Sequence, residues 1–264
     1  MNLKKMLSYA IKASISGGKE IMQIYDSDYQ ISHKLDNSPL TIADKKCHEV
    51  IEKILLGTNI PLLSEEGQDI SYEKRKSWLN YWLIDPLDGT KEFIKKNGEF
   101  TVNVALIKDG VPIIGVVYVP VSCELFFAMS EIGSFKSNCN YNLNFDLDNL
   151  ISDSLKLPIS KNRNKFIIVG SRSHMSKETE LYIEEMKKMH GSVEILSRGS
   201  SLKICMIAEG KADVYPRYAP TMEWDTAAGH AIAKYAGFDV LQFKTEKEVK
   251  YNKKNLLNPW FIVK

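Results

Sequence analysis

The segment WLIDPLDGTKEF, residues 82–93, runs an apolar strand into two carboxylates separated only by Pro86 and Leu87. At a rigid strand end Asp85 and Asp88 can converge on cations where Pro86 turns the chain, and the Leu87 carbonyl between them offers another hard oxygen. Gly89 and Thr90 follow at the start of a helix, whose free N–H groups favour a phosphate. The same residues also spell an ordinary Asp-Pro turn with Asp88 as a helix cap. Two more acidic sites ask for a common explanation: Ser64-Glu65-Glu66-Gly67, and Trp224-Asp225 ahead of Thr226-Ala227-Ala228-Gly229. Neighbours on an extended segment face opposite ways, which favours Glu65 over Glu66 as a ligand. Carboxylates, a carbonyl, waters and a bound phosphate make an all-oxygen set that suits magnesium better than zinc. The segment DNSPLTIAD, residues 36–44, sets Thr41 and Asp44 on the opening turn of a helix. Alone this is a capping sequence; with Thr90 it becomes a carboxylate and a hydroxyl able to position a water for attack on phosphorus.

Periodicity names the elements that would hold these groups. Leu3, Met6, Leu7, Ala10, Ile11 and Ser14 follow helical spacing in a helix reaching about Tyr25, and Ala43, Val50, Ile51, Ile54 and Leu55 recur on one side of a second helix over 41–56. Strand-like runs follow at 81–84, 101–108, 113–119 and 124–129, with a hairpin signal at Asp109-Gly110. Residues 137–153, rich in Asn and Asp, read as an irregular excursion. A domain boundary is expected near residue 155, giving an α+β half over 1–155 that carries most of the candidate metal ligands. The half over 156–264 reads as α/β, with strands at 166–170, 193–196 and 212–215 alternating with helices at 177–189, 202–209 and 225–235, which implies a largely parallel sheet.

Composition narrows the partners. The chain has 264 residues, 44% hydrophobic and 26% charged, with a formal net charge of +2, an ordinary globular balance that excludes a general nucleic-acid binder. Cys47, Cys123, Cys139 and Cys205 are scattered without metal-ligand spacing and read as reduced cytosolic thiols. Lys12 interrupts the apolar N-terminal stretch, so it reads as an amphipathic helix and not as a secretory signal. No run approaches about 18 uncharged apolar residues, so no integral membrane segment is expected. The expected setting is the cytoplasm, with peripheral contact at the inner membrane and a monomer or homodimer all left open.

Taken in order, DNSPLTIAD, SEEG, DPLDGTKEF and WDTAAG resemble the inositol monophosphatase superfamily of lithium-sensitive, magnesium-dependent phosphatases over nearly the whole chain. The resemblance implies a layered αβαβα sugar-phosphatase-type fold. It also implies two or three magnesium ions on Glu65, Asp85, the Leu87 carbonyl, Asp88 and Asp225, with Asp44 and Thr90 activating water. Within that superfamily GSRSH (170–174), RGSSLK (198–203) and VYPRYAPTMEWD (214–225) look like the bacterial CysQ-type 3'(2'),5'-bisphosphate nucleotidases. These remove the 3'-phosphate of adenosine 3',5'-bisphosphate, and the sulfated precursor is a further candidate substrate. By that similarity Gly89, Thr90, Ser171, His174, Ser200, Lys203 and Arg217 would contact the nucleotide. Independently, a second phosphate needs cations, and Lys203 and Arg217 come from separate segments near Asp225. Each has a plainer alternative: Lys203 a solvated helix residue, Arg217 a loop charge, His174 a helix cap. Gly67 departs from the Asp or Ser that related sequences often carry. Inositol-specific relatives hold an acidic residue seven positions before the last metal-binding Asp, where Tyr218 stands here. A sugar phosphatase with another pocket, or a scaffold that binds a nucleotide without turnover, are the competing readings.

Overall fold

A computed structural model describes residues 1–27, 39–139, 143–159, 165–170 and 176–264. The first half opens with α1 (Leu3–Tyr25), α2 (Pro39–Leu56), β1 (Leu62–Ser64), α3 (Tyr72–Arg75), β2 (Asn80–Asp88) and α4 (Thr90–Ile94). It continues with β3 (Thr101–Lys108), β4 (Val111–Val119), β5 (Glu124–Met129), β6 (Gly133–Asn138), α5 (Leu147–Asp153) and β7 (Leu155–Lys156). The seven strands form one sheet in chain order, with β1 and β2 parallel and each later pair antiparallel.

Both faces of this sheet are covered, so its strands are apolar throughout and not alternately polar. Trp82, Ile84, Val104, Leu106, Val116 and Phe127 point to one face and pack on α1 and α2 through Leu7, Ile11, Ile15 and Ile51. Tyr81, Leu83, Ala105, Val117 and Phe126 point to the other. Each fully buried aliphatic or aromatic side chain stabilises the fold by about 1.5 to 3 kcal/mol as an upper estimate.

Beyond β7 come β8 (Phe166–Gly170), α6 (Lys177–His190), β9 (Val193–Ser197), α7 (Leu202–Ala208), β10 (Tyr215–Arg217), α8 (Glu223–Tyr235), β11 (Val240–Gln242) and β12 (Phe261–Val263). Helices α7 and α8 cover the second face of the large sheet and separate it from two small sheets, and α6 packs on their outer side. The order helix, sheet, helix, sheet, helix is the expected layered αβαβα arrangement. Contact between α8 and the large sheet is close: a Cβ at Gly115 of β4 would lie 2.3 Å from the Ala228 carbonyl oxygen and 2.7 Å from the Ala231 Cβ. Alanines at 227, 228 and 231 give α8 the low profile this spacing needs.

Three expectations change. The 137–153 excursion holds the end of β6 and all of α5, which the Asp146 carboxylate caps by accepting from the Asn149 N–H at 2.9 Å. The strand expected at 212–215 lies at Tyr215–Arg217, with Val214 making only an isolated parallel bridge to Ile168. The second half is also less parallel than expected: β8 and β9 are parallel, but β10, β12 and β11 form an antiparallel sheet closed by the C-terminal strand.

Candidate active site

Strand β2 delivers Asp85 and Asp88, and it does so through a bulge where a turn was expected. Asp85 pairs with Asn103 and Asp88 with Thr101, so three steps on β2 match two on β3. Pro86 has no N–H for the ladder, which makes this the natural place for an irregularity. The Pro86 carbonyl accepts from the buried Cys47 thiol at 3.1 Å, and the Leu87 N–H donates to Asp85 Oδ1 at 3.1 Å. Leu87 is itself buried. Glu65 leaves the end of β1, its N–H donating to the Ile84 carbonyl at 3.2 Å, which sets it beside the end of β2. Asp225 is the third residue of α8, and its Oδ2 accepts from the Met222 N–H at 2.9 Å. One oxygen of Asp225 therefore caps the helix and the carboxylate still faces the site.

Glu65, Asp85 and Asp225 each bring one carboxylate oxygen within 4.8 Å of the others. Asp88 stands beside this trio, its Oδ2 accepting from the Ser201 N–H at 2.7 Å and the Ser201 hydroxyl at 2.8 Å. Burial pushes the Asp85 carboxyl well above the usual carboxylate range, reinforced by the charges of Asp88, Glu65, Asp225 and Asp44. Burial and the charge of Asp88 raise Asp225 to about 7. Asp44, on α2, is raised to about 8 by burial and then by Glu66 and Glu65. Buried Asp85 Oδ2 and Asp44 Oδ1 have no hydrogen-bond partner among the described residues. Converging carboxylates, raised proton affinities and partnerless buried oxygens fit a hard divalent cation, whose charge would reverse each of these penalties. Glu66 lies outside the trio. Thr90 is exposed and opens α4, which packs against α2.

Next to the carboxylates lies a cavity of about 160 Å³, lined by the acidic Asp88, Glu92 and Asp225 and by the basic Lys203, Arg217, Arg198 and Lys91. Gly89 and Ser200 line it as well. Lys203 is not a solvated helix residue: it is 9% exposed, and its Nζ donates to the Ser200 carbonyl at 2.7 Å and more weakly to that of Arg198 at 3.4 Å. Burial lowers its ammonium to about 8. Arg217 Nη2 donates to the Pro220 carbonyl at 3.1 Å. The Ser200 hydroxyl lies 2.8 Å from the Asp88 carbonyl and 2.7 Å from that of Glu99, which ties the 198–201 loop to β2 and to the segment just before β3. Gly89 allows that docking, since at φ +100° a Cβ there would meet Ser200 Oγ at 2.1 Å. Ser171 and His174, and the Asp36-Asn37-Ser38 start of the DNSPLTIAD segment, lie outside the described residues.

Sequence reasoning missed four supporting residues. Glu99 accepts from the Gly199 N–H at 2.8 Å and from Arg198 at 3.3 Å. Asn258 Nδ2 donates to the Met222 carbonyl at 2.7 Å and to Thr226 Oγ1 at 2.9 Å, bracing the turn that carries Asp225. Asn103 and Ser201 join Asp88 to that turn. Asn103 and Asn258 each left one trace, a lone amide inside the apolar runs TVNVALI and LLNPWF; Ser201 lay unremarked inside RGSSLK, and Glu99 in a polar stretch. Tyr218 is buried in an aromatic cluster with Phe243 and Trp260. Buried His230 bonds Tyr251 at 3.0 Å and Glu248 at 3.2 Å, away from the cavity lining. All four cysteines are free thiols. Among the described residues no helix is long and apolar enough to cross a membrane.

Known proteins share both sequence and arrangement. The profile of the Inositol monophosphatase family matches residues 2–260. The 3'(2'),5'-bisphosphate nucleotidase CysQ of Shigella flexneri is 42% identical over 262 residues, covering 98% of this chain and 99% of the relative. The crystal structure of CysQ from Bacteroides thetaiotaomicron superposes with a TM-score of 0.96 at 52% identity, over 100% of this chain and 98% of that one. An inositol monophosphatase from Zymomonas mobilis shares the fold, with a TM-score of 0.77 at 18% identity over 100% of this chain and 93% of that one. With its carboxylate trio on β1, β2 and α8 and a match along nearly its whole length, the chain belongs to the inositol monophosphatase family.

Proposed function

We propose that this chain is a magnesium-dependent 3'(2'),5'-bisphosphate nucleotidase, hydrolysing the 3'-phosphate of adenosine 3',5'-bisphosphate to AMP and inorganic phosphate. The observation that carries the reading is one cavity lined both by Asp88 and Asp225, next to the carboxylate trio, and by the buried Lys203 and half-buried Arg217. A bisphosphate has one phosphoryl group for each end. Bound magnesium, as two or three ions, supplies Lewis acidity that lowers the pKa of water and offsets charge on the phosphoryl oxygens. Glu65, Asp85, Asp88, Asp225 and the Leu87 carbonyl would hold it. Asp44 takes the proton of the attacking water, with Thr90 orienting that water, as a new P–O bond to water forms and the P–O bond to the 3'-oxygen breaks, the 3'-oxygen taking a proton from solvent water to leave as the hydroxyl of AMP. Lys203 and Arg217 orient the second phosphate, with Ser200 and Gly89 shaping the wall between; Ser171 and His174 complete the nucleotide contacts. Tyr218 supplies no acidic group for sugar hydroxyls, which supports a nucleotide over an inositol phosphate.

Phosphate release from adenosine 3',5'-bisphosphate, its sulfated precursor, 3'-AMP and inositol 1-phosphate, each with magnesium and with EDTA, tests the reading. The bisphosphate should be the preferred substrate and turnover should vanish in EDTA. A preference for inositol 1-phosphate would overturn the nucleotidase assignment, and turnover in EDTA would overturn the metal mechanism. No turnover on any substrate, with nucleotide binding intact, would make the chain a sensor.

A further inference from the structure

Ser201 stands where the two halves of the carboxylate site meet. Its Oγ lies 2.8 Å from Asp88 Oδ2 and 2.9 Å from the Asp225 main-chain oxygen, and it accepts from Asn103 Nδ2 at 2.9 Å. A hydroxyl has one proton to give, and an ionised carboxylate is a stronger acceptor than a peptide carbonyl, so the proton goes to Asp88. The Ser201 N–H donates to the same Asp88 Oδ2 at 2.7 Å, and Asn103 Nδ2 reaches it at 3.3 Å. Behind them Thr101 Oγ1 donates to Asn103 Oδ1 at 3.0 Å, which fixes the amide with its nitrogen towards Ser201 and Asp88. Thr101, Asn103 and Ser201 are all buried, so water does not compete for these bonds.

We infer that Ser201, backed by Asn103, is a positioning residue for the metal site: it saturates Asp88 Oδ2 and leaves Oδ1 as the single oxygen that Asp88 presents to a cation. The inference rests on the magnesium reading above. It gives Ser201 a different task from its neighbour Ser200, whose hydroxyl ties the loop to main-chain carbonyls. Partners that orient a ligand typically change metal affinity by about 10- to 100-fold when removed.

The test compares the full-length wild type, Ser201→Ala and Asn103→Ala. Magnesium alone is titrated by calorimetry, melting is followed in EDTA, and kcat and KM for adenosine 3',5'-bisphosphate are measured at saturating magnesium. Ser201→Ala is expected to weaken magnesium binding about tenfold or more. Its melting temperature in EDTA should stay within a few degrees of wild type, and its KM within about threefold. Asn103→Ala should weaken magnesium in the same direction, and it decides the matter if Ser201→Ala does not fold. Unchanged magnesium affinity in both variants overturns the inference. So does a KM raised tenfold with magnesium binding intact, which would make Ser201 a substrate contact. A wild type that takes up no magnesium removes the metal reading itself, an outcome separate from any difference between the variants.

Discussion

The two ends of the cavity are held by opposite means. The acidic end stands on strands β1 and β2 and the first turn of α8, with like charges pressed together and buried oxygens left without partners. The basic end hangs on the first turn of α7 and on β10, where Lys203 and Arg217 already donate to main-chain carbonyls. The acidic end is thus incomplete until a cation binds, whereas at the basic end both cations hold main-chain carbonyls that a phosphate can replace, with the buried Arg217 Nε left without a partner among the described residues. Changes at the first should therefore strike the chemical step and metal-linked stability, and changes at the second should strike substrate choice.

The largest effect is expected from Asp85→Asn, which should lower kcat by about a hundred- to a thousandfold, the scale of losing a preorganised electrostatic contact. Melting of the variant in EDTA should be unchanged or higher, because a buried carboxylate facing four others is removed. Magnesium should raise the melting temperature of the wild type far more than that of the variant. Near-normal turnover would break the contrast between the two ends.

Asp44→Asn should lower kcat by on the order of a hundredfold with little change in KM, as for loss of a general base. Thr90→Ala should act in the same direction more weakly. A rise in KM alone would make Thr90 a phosphate holder.

At the other end, Lys203→Ala and Arg217→Ala should each lower kcat/KM for adenosine 3',5'-bisphosphate by about tenfold or more, from charge-assisted contacts of roughly 1.5 to 3 kcal/mol. Hydrolysis of 3'-AMP should scarcely change. Equal losses on both substrates would show that these cations do not read the second phosphate.

A pH profile sharpens the same point. Lys203 titrates at about 8 in the folded chain, against about 10.4 when unfolded. Between these values the unfolded state holds the extra proton, so this group makes stability rise with pH across that window. Anion binding moves the other way, because the ammonium is lost above about 8. Affinity for the bisphosphate should fall as pH passes 8 while the melting temperature does not, and Lys203→Arg should flatten the affinity profile.

The smallest effect belongs to Glu99→Gln. It weakens the tie between the 198–201 loop and the segment before β3, worth roughly 0.5 to 1.5 kcal/mol, and should raise KM a few-fold with kcat kept. A kcat loss as large as that of Asp44→Asn would show that the loop belongs to the chemical step.

What could be read in advance follows from how local its cause is. Strands β3 and β5 and the bounds of α2 and α6 follow from periodicity and caps within a dozen residues. The carboxylates were legible because Asp85, Asp88 and Asp225 each sit at a strand end or helix start that their neighbours announce. Helix α5 was missed because an Asp cap in an Asn-rich stretch looks like loop chemistry. Strands β11 and β12 were missed because three-residue strands are defined by their partner: Val263 pairs with Tyr215 on one side and Val240 on the other. Lys203 was legible as a phosphate contact, but its burial was not, because its surroundings, the Ser200 carbonyl and the Tyr215 ring, are assembled only in three dimensions. Pro86 was legible as an irregularity, but only pairing with β3 makes it a bulge.

Gly115 carries a consequence for the tolerance of the chain to change. Asp85 belongs to the large sheet and Asp225 to α8, so the gap between those carboxylates is inherited from the height at which the helix rides on the sheet. The helix rides closest at one bare backbone position, with the Ala228 carbonyl 2.3 Å from where a methyl would stand. An alanine there would act as a washer under the helix, lifting one wall of the site away from the other. A substitution at position 115 should therefore be felt at the carboxylates, although Gly115 is not among them and does not line the cavity.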